Sequence, residues 1–167
     1  MNLKTEIKSQ SIFRMSESTE RIEKCVNLLT NEQVWYNFND HTNSIGHLIL
    51  HLCGNITQYI QSSLGNQKDE RVRDLEFETK EQLSNEELIQ KIKNTATKAS
   101  EIIQQLSEEE LLKERSVQGF NFTGVGNIIH VVEHYSYHTG QIALQTKLLR
   151  NMDLGFYADL DLNIKNE

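Results

Sequence analysis

The sequence predicts an all-α protein, and two observations lead to that prediction. The 167-residue chain contains no proline, and half of its eight glycines lie outside or at the ends of the segments with helical periodicity. Proline and glycine destabilise helix interiors, so this distribution favours long uninterrupted helices. Four segments also carry apolar residues at steps of three, four and seven, which is the spacing of one helix face. We therefore predict a four-helix bundle in which each helix buries its apolar face against the others.

The first predicted helix runs over residues 3–29. Its apolar positions follow helical spacing: Ile7, Ile12, Met15, Ile22, Val26 and Leu29. Thr30 and Gln33 then have the spacing of a capping box, in which two side chains satisfy free backbone N–H groups at a helix start. They predict a short helical turn that continues through Trp35.

The second long helix is predicted to begin after a cap at Asn43 or Ser44 and to end near Gly65. One apolar stripe runs along it: Ile45, Ile49, Leu52, Ile56 and Ile60. Residues 66–83 are rich in charge and lack clear periodicity. We interpret them as a long connection that crosses the bundle, and loops of this kind often border a functional site.

The third long helix is predicted from a second capping box, formed by Ser84 and Glu87, and ends by about Leu106. Its apolar positions are Leu88, Ile92, Ala96, Ala99, Ile102 and Ile103. Ser107 and Glu110 repeat the capping spacing and predict another short helical turn.

The fourth long helix is predicted over residues 125–152, after a loop at residues 118–124 that can include a little strand. Its apolar stripe consists of Ile128, Val131, Tyr135, Ile142 and Leu149. At this length we expect one domain spanning residues 1–167.

Composition excludes several classes of protein. The formal net charge of −7 and the lack of a Lys/Arg run argue against a nucleic-acid partner. No stretch approaches the roughly 20 apolar residues of a membrane span, and the N-terminus lacks the apolar core of a signal peptide. Two cysteines, Cys25 and Cys53, cannot form a disulfide framework and are expected to be structural. We therefore expect a cytoplasmic protein that does not bind membranes.

The histidines are the most informative feature of the sequence. They fall into two groups, one around the start of the second long helix and one on the fourth: His41, His47 and His51, and His130, His134 and His138. Residues four apart share a helix face, so each group can present two imidazoles together. A catalytic zinc-type site uses about three protein ligands and leaves a position for water or substrate. The grouping predicts a metal site, although such pairs also occur on surfaces or as hydrogen-bonded core residues.

His138 lies on the apolar stripe of the fourth helix, and His134 lies one turn earlier, so this pair is expected to point into the bundle. On the second helix His51 lies between two leucines near the inward face, whereas His47 is one turn closer to the helix start. We prefer His51 as the third ligand. Neutral imidazole binds zinc, nickel, copper and iron, and zinc or nickel is the ion we expect.

Two segments resemble the signature regions of the DinB/YfiT-like superfamily: Ser-Ile-Gly-His-Leu-Ile-Leu-His-Leu at residues 44–52 and His-Val-Val-Glu-His-Tyr-Ser-Tyr-His-Thr-Gly-Gln at residues 130–141. The resemblance extends over essentially the whole chain. It implies a four-helix bundle, often dimeric, in which a histidine of the second helix and an H-x-x-x-H pair of the last long helix bind a divalent metal. By position these ligands are His51, His134 and His138, and we expect a homodimer.

The resemblance also implies classes of activity. Relatives include thiol S-transferases and isomerases that act with low-molecular-weight thiols, and many others are assigned only as metal-dependent hydrolases. Many members carry arginine where this chain has Thr139, a difference that leaves the ligands intact. We expect a metal-dependent transferase or hydrolase with a small-molecule substrate, in which a low-molecular-weight thiol or water is the nucleophile. The alternative is a non-catalytic binding or dimerisation module with a structural metal or core histidines.

Residues 130–134 also match the H-x-x-E-H motif of inverted zinc proteases, in which the glutamate is the general base. Such proteases are larger and need a further ligand well downstream, but only 33 residues follow His134. We therefore give this interpretation little weight.

Three polar residues are candidates for supporting the metal ligands. Asn55 follows His51 by one turn, and Gln141 follows His138 by three residues, so either could orient a ligand or the substrate. Glu133 is expected to be solvated or to lie beside a ligand. Each of the three is equally compatible with an ordinary polar helix position.

Overall fold

The computed structural model describes residues 2–79 and 82–165. Within them the chain forms seven α-helices and one β-hairpin: α1 (Leu3–Asn27), α2 (Asn31–Val34), α3 (Ile45–Ile56), α4 (Leu75–Glu78), α5 (Asn85–Gln105), α6 (Glu108–Leu112), β1 (Glu114–Val117), β2 (Phe120–Thr123) and α7 (Gly124–Arg150). A π-helical segment, Thr57–Ser62, continues α3. The all-α fold class is confirmed.

The four long helices form a closed bundle. α1 packs against α5 and α7, and α3 packs against the same two helices. The core consists of their inward apolar side chains, of which Ile22, Ile49, Leu52, Ile92, Ile103, Ile128 and Ile142 are fully buried. The predicted four-helix bundle is therefore confirmed, and it places α3 beside α7, the two helices that carry the candidate ligands.

The predicted capping residues begin the helices as expected. Thr30 and Ser84 each form a complete capping box. Ser107 accepts a hydrogen bond from a backbone N–H of α6, and Ser44 does the same for α3. Because these side chains satisfy N–H groups that have no partner inside a helix, they fix where each helix starts.

The helix α4 and the strand β1 were not predicted, whereas β2 lies in the segment 118–124 where a little strand was expected. The connection predicted over residues 66–83 contains α4, a helix of only four residues without a side-chain cap, too short to show periodicity. Lys80 and Glu81 of that connection lie outside the described residues. The hairpin of β1 and β2 turns at Gln118 and Gly119, whose φ angles are +51° and +80°. Tight hairpin turns with two positive φ angles usually carry Asn-Gly or Asp-Gly, so Gln-Gly gave only a weak signal.

Both cysteines are buried free thiols. Burial raises the pKa of each, to about 12 for Cys53, so neither is a reactive thiolate at neutral pH. Among the described helices, none combines the length and the apolar composition of a membrane span.

Candidate metal centre

The packing of α3 against α7 brings three imidazoles together. His51 Nε2 on α3 lies 2.9 Å from His134 Nε2 on α7. With His138, one turn further along α7, each side chain offers a ring nitrogen within 4.8 Å of the other two. The structure thus groups the three histidines preferred from the sequence.

This donor set fits a divalent transition metal. Two nitrogens bound to one tetrahedral zinc ion lie about 3.3 Å apart, because each Zn–N bond is about 2.0–2.1 Å. The separation of His51 and His134 differs from that value by a few tenths of an ångström. His51 and His138 are buried, and His134 is half-buried. The three histidines could therefore hold an ion with small side-chain adjustments.

The protonation of His134 and His138 suits metal binding. Burial, together with the positive charge that the neighbouring imidazoles would carry, lowers the pKa of His134 to about 3. Burial also lowers the pKa of His138, although its hydrogen bond to Gln141 acts in the opposite direction. Both rings are consequently neutral at pH 7, with a lone pair available to a cation.

A buried carboxylate orients His51. The Nδ1 atom of His51 donates to Glu76 Oε2 at 2.8 Å, which leaves Nε2 as the lone-pair nitrogen that faces His134. Arg71 binds the same carboxylate through two hydrogen bonds, of 2.7 and 3.0 Å. Burial acts to raise the pKa of Glu76, but the hydrogen bonds from His51 and Arg71 outweigh it and hold the pKa below its usual value. Glu76 is therefore an ionised partner of His51.

Arg71 and Glu76 lie in the crossing connection, and hydrogen bonds hold this pair against α3 and the π-helical segment that continues it. Arg71 Nη1 donates to Gln58 Oε1 at 2.9 Å, and Gln58 Nε2 donates to Asp69 at 2.8 Å. At Gly54, one turn after His51, an added Cβ would overlap the Glu76 carboxylate. The glycine therefore allows the carboxylate to approach α3 closely enough to reach the ligand.

His138 is supported by its own helix. Its Nδ1 lies 2.7 Å from Gln141 Oε1, three residues further along α7. Because this amide oxygen can only accept, it assigns the proton to Nδ1 and leaves Nε2 of His138 as the donor to a metal. The candidate residue Gln141 is thus in contact with a member of the triad.

The other two candidate supports lie elsewhere. Asn55 Nδ2 lies 3.2 Å from His130 Nε2, so Asn55 contacts the histidine one turn before the triad. The His130 ring stacks on Tyr59, with ring centroids 4.2 Å apart. Glu133 is exposed, as expected for a solvated carboxylate. His134 is grouped with His51 and His138 and not with His130, which does not fit the H-x-x-E-H interpretation.

The remaining histidines lie outside the triad. His47 Nδ1 is 2.9 Å from Ser44 Oγ at the start of α3, and His41 is exposed in the preceding loop. Sequence reasoning missed Glu76 and Arg71, which lie in a charge-rich stretch without periodicity. The only signal there was the length of the connection, since long loops often border a site.

Solved structures with the same fold come from several bacteria. They include a DinB-like protein from Bacillus cereus ATCC 10987 (18% identity, 80% of this chain and 87% of that chain, TM-score 0.61). The DinB-like protein YjoA from Bacillus subtilis matches at 17% identity over 86% and 94% of the two chains, with a TM-score of 0.67. A conserved protein from Enterococcus faecalis matches at 13% identity over 91% and 99%, with a TM-score of 0.66.

At these identities the similarity establishes the DinB-like fold. No functionally curated protein matches the chain at a significant level. A family model described as "Protein of unknown function (DUF1572)" matches residues 2–158. The chain therefore belongs to this family, which is part of the DinB-like group of helical bundles.

Proposed function

We propose that the protein is a divalent-metal-dependent enzyme that acts on a small molecule, with His51, His134 and His138 as its metal ligands. The observation that carries the proposal is the convergence of three ring nitrogens within 4.8 Å of one another. Two of these rings are held by further hydrogen bonds, His51 by Glu76 and His138 by Gln141. Such partners of metal-bound histidines fix the tautomer and raise ligand basicity, which favours a metal site over three ordinary core histidines.

Three protein ligands suit a catalytic site better than a closed structural one. A zinc or nickel ion held there would polarise a substrate and lower the pKa of a bound water or thiol. The three histidines would supply neutral nitrogen ligands, and Gln141 and Glu76 would orient two of them. Glu76 also places a negative charge next to His51. With water as the nucleophile the protein is a hydrolase, and with a low-molecular-weight thiol it is a thiol S-transferase. Neither reaction needs a nucleophilic side chain, and Cys53 is too deeply buried to provide one.

We also propose a cytoplasmic homodimer. The outer side of α7 exposes four large side chains, each more than half exposed: Ile129, Tyr137, Leu144 and Leu148. A helix that is apolar on both sides favours burial of its outer side as well. A second copy of the chain is the proposed cover of Ile129 and Tyr137, and light scattering coupled to size-exclusion chromatography would measure the molar mass. The net charge of −7 argues against nucleic acid as a partner.

The exposed apolar side chains of α7 also favour the second candidate function, which is a non-catalytic dimerisation module that holds a structural metal. The two candidates differ in the effect of removing the ion. For the enzyme, chelation abolishes turnover of a substrate, and adding the metal back restores it. For the module, chelation lowers the melting temperature and there is no turnover to lose.

The test is elemental analysis of untagged protein purified without chelators, for wild type and for His51→Ala, His134→Ala and His138→Ala. We expect about one equivalent of zinc or nickel in wild type and a large loss in each variant. The matched control is His47→Ala, which removes an imidazole one turn earlier on the same helix and should retain the ion. A wild type that stays metal-free after incubation with these ions, or ligand variants that bind as well as it does, would overturn the proposal.

A further inference from the structure

A cleft of about 400 Å³ lies beside the metal centre, between α3, α7 and the loop that precedes α3. Gln141 lines this cleft, and the same side chain contacts His138 Nδ1 at 2.7 Å. Leu48 also lines it and lies one turn before His51 on α3. Residues three apart on a helix are neighbours on its surface. The cleft wall is therefore built from the neighbours of two of the three ligands, and its volume is in the range of small-molecule sites.

The wall of this cleft is largely apolar, and His41 is the one ionisable side chain among its described lining residues. Its apolar part comes from Phe38 in the loop, Leu48 on α3, and Leu144 and Leu148 on α7. None of the described lining residues is Asp, Glu, Lys or Arg, although a quarter of the whole chain is charged. A ligand with a carboxylate or phosphate would lose its hydration there and gain no lysine or arginine partner.

The polar part of the wall consists of His41, Thr42 and Asn43 in the loop and of two amide side chains on α7, Gln141 and Gln145. Gln145 donates from Nε2 to the Asn43 carbonyl at 3.1 Å, but its Oε1 is buried without a hydrogen-bond partner. The Oε1 atom of Gln141 is used by His138, so the remaining polar group of Gln141 is an NH₂ donor. Because Gln145 Oε1 has almost no exposed surface, a ligand in the cleft cannot donate to it, and the amide group left for a ligand is the NH₂ of Gln141.

We propose that this cleft binds the substrate of the metal centre, and that the substrate is an uncharged molecule with an apolar portion and a hydrogen-bond acceptor. The assignment rests on the proposed metal-dependent function. The acceptor binds the NH₂ of Gln141, while the apolar portion contacts Phe38 and Leu144. The cleft does not suit a low-molecular-weight thiol that carries carboxylates.

Alkyl hydroxamates test this assignment, because the hydroxamate group chelates the metal while the alkyl chain probes the space next to it. Acetohydroxamate, butanohydroxamate and hexanohydroxamate are titrated calorimetrically into zinc-loaded and metal-free protein. We expect binding only to the loaded protein, with affinity rising about two- to fourfold for each added methylene. The monohydroxamate of adipic acid, which has six carbons but ends in a carboxylate, should lose that gain.

Two variants locate the chain-length effect. Leu144→Ser on α7 and Phe38→Ser in the loop should flatten the increase from acetohydroxamate to hexanohydroxamate, and leave acetohydroxamate binding within about twofold of wild type. The matched control is Ile129→Ser, since Ile129 is 57% exposed and Leu144 is 59% exposed on the same helix, but Ile129 does not line the cleft. Ile129→Ser also shows whether loss of an exposed apolar side chain of α7 affects the titration by itself.

The outcomes separate this proposal from the one it rests on. If acetohydroxamate binds the loaded protein but affinity does not rise with chain length, the metal site stands and the cleft assignment is overturned. The same holds if Leu144→Ser and Phe38→Ser behave like Ile129→Ser, or if the adipic acid derivative binds as tightly as hexanohydroxamate. If wild type takes up no metal and binds no hydroxamate, the proposed function fails and the cleft assignment fails with it.

Discussion

His51 and His138 occupy the same centre but are supported in opposite ways. The partner of His51 is Glu76, which is 25 residues away on the crossing connection and is itself bound by Arg71. The partner of His138 is Gln141, three residues away on the same helix. One support exists only when the connection folds onto α3, whereas the other forms whenever α7 is helical. The difference shows that one side of a site can depend on a tertiary contact between distant segments, while the other side depends only on helix formation.

The two supports also differ in energy. The Arg71 and Glu76 side chains are 5% and 11% exposed, so an ion pair has been taken almost entirely out of water. Such a pair contributes little over an apolar replacement, but removing one partner leaves a buried charge without compensation. Gln141 is neutral, and its loss costs one hydrogen bond. We therefore expect the His51 side to be the more sensitive to mutation.

The largest expected effect is that of Arg71→Met. It leaves the buried Glu76 carboxylate without its cation and should lower the free energy of unfolding by about 3–5 kcal/mol. Denaturant titration followed by circular dichroism measures this loss. The matched control is Lys68→Met, because Lys68 and Glu70 form an ion pair on the same connection with side chains 82% and 73% exposed. That substitution should change stability by about 0–1 kcal/mol, and equal losses in both variants would contradict the comparison.

The next effect concerns metal affinity. Glu76→Gln keeps an acceptor near His51 but removes the charge, and loss of a partner behind a metal-bound histidine typically costs about 10- to 100-fold in affinity. We expect Glu76→Gln near the upper end of that range and Gln141→Leu near the lower end, because hydrogen bonds to an ionised group are about twice as strong as neutral ones. Competition titration against a zinc-binding dye gives both constants. A larger loss for Gln141→Leu than for Glu76→Gln would reverse our ranking of the two supports.

The smallest expected effect comes from two glycine substitutions. In Gly54→Ala the new Cβ overlaps the Glu76 carboxylate, so the carboxylate must shift away from His51 and metal affinity should fall by about tenfold. In Gly140→Ala on α7 the new Cβ meets no atom within 4 Å, and helix propensity should make it neutral or stabilising by up to about 1 kcal/mol. The same zinc titration and a thermal melt distinguish them. Unchanged affinity in Gly54→Ala would mean that the carboxylate does not need its present position.

The bundle and the triad were predictable because their signals are local and periodic. Apolar spacing located all four long helices, and the i,i+4 spacing of His134 and His138 located a pair of candidate ligands. The choice of His51 over His47 followed from its place on the inward face of α3. The support by Gln141 was also proposed, since a residue three positions further on a helix is a surface neighbour.

The remainder of the site depends on tertiary contacts that leave no periodic pattern. Glu76 and Arg71 belong to a stretch in which charged residues are common, and nothing in their spacing relates them to a histidine 20 or more residues earlier. Asn55 shows a different case, in which local spacing suggested a contact with His51 but the side chain contacts another helix. Its spacing from His51 was right for a support, but across the interface with α7 its nearest partner is His130, one turn away from the triad.

The π-helical segment that continues α3 has a consequence for how the chain tolerates changes in length. A π turn accommodates one residue more than an α turn, so residues beyond Ser62 are rotated by about 100° from the positions that an unbroken α-helix would give them. The side chains before the π-helical segment, including His51, therefore have one helical phase. Leu64 and the start of the crossing connection have another. Deleting a single residue between Thr57 and Ser62 would leave the imidazole facing α7 but turn the departing chain by more than a quarter of a circle. The segment thus sets the direction in which the chain leaves the helix to bring Arg71 and Glu76 back to it.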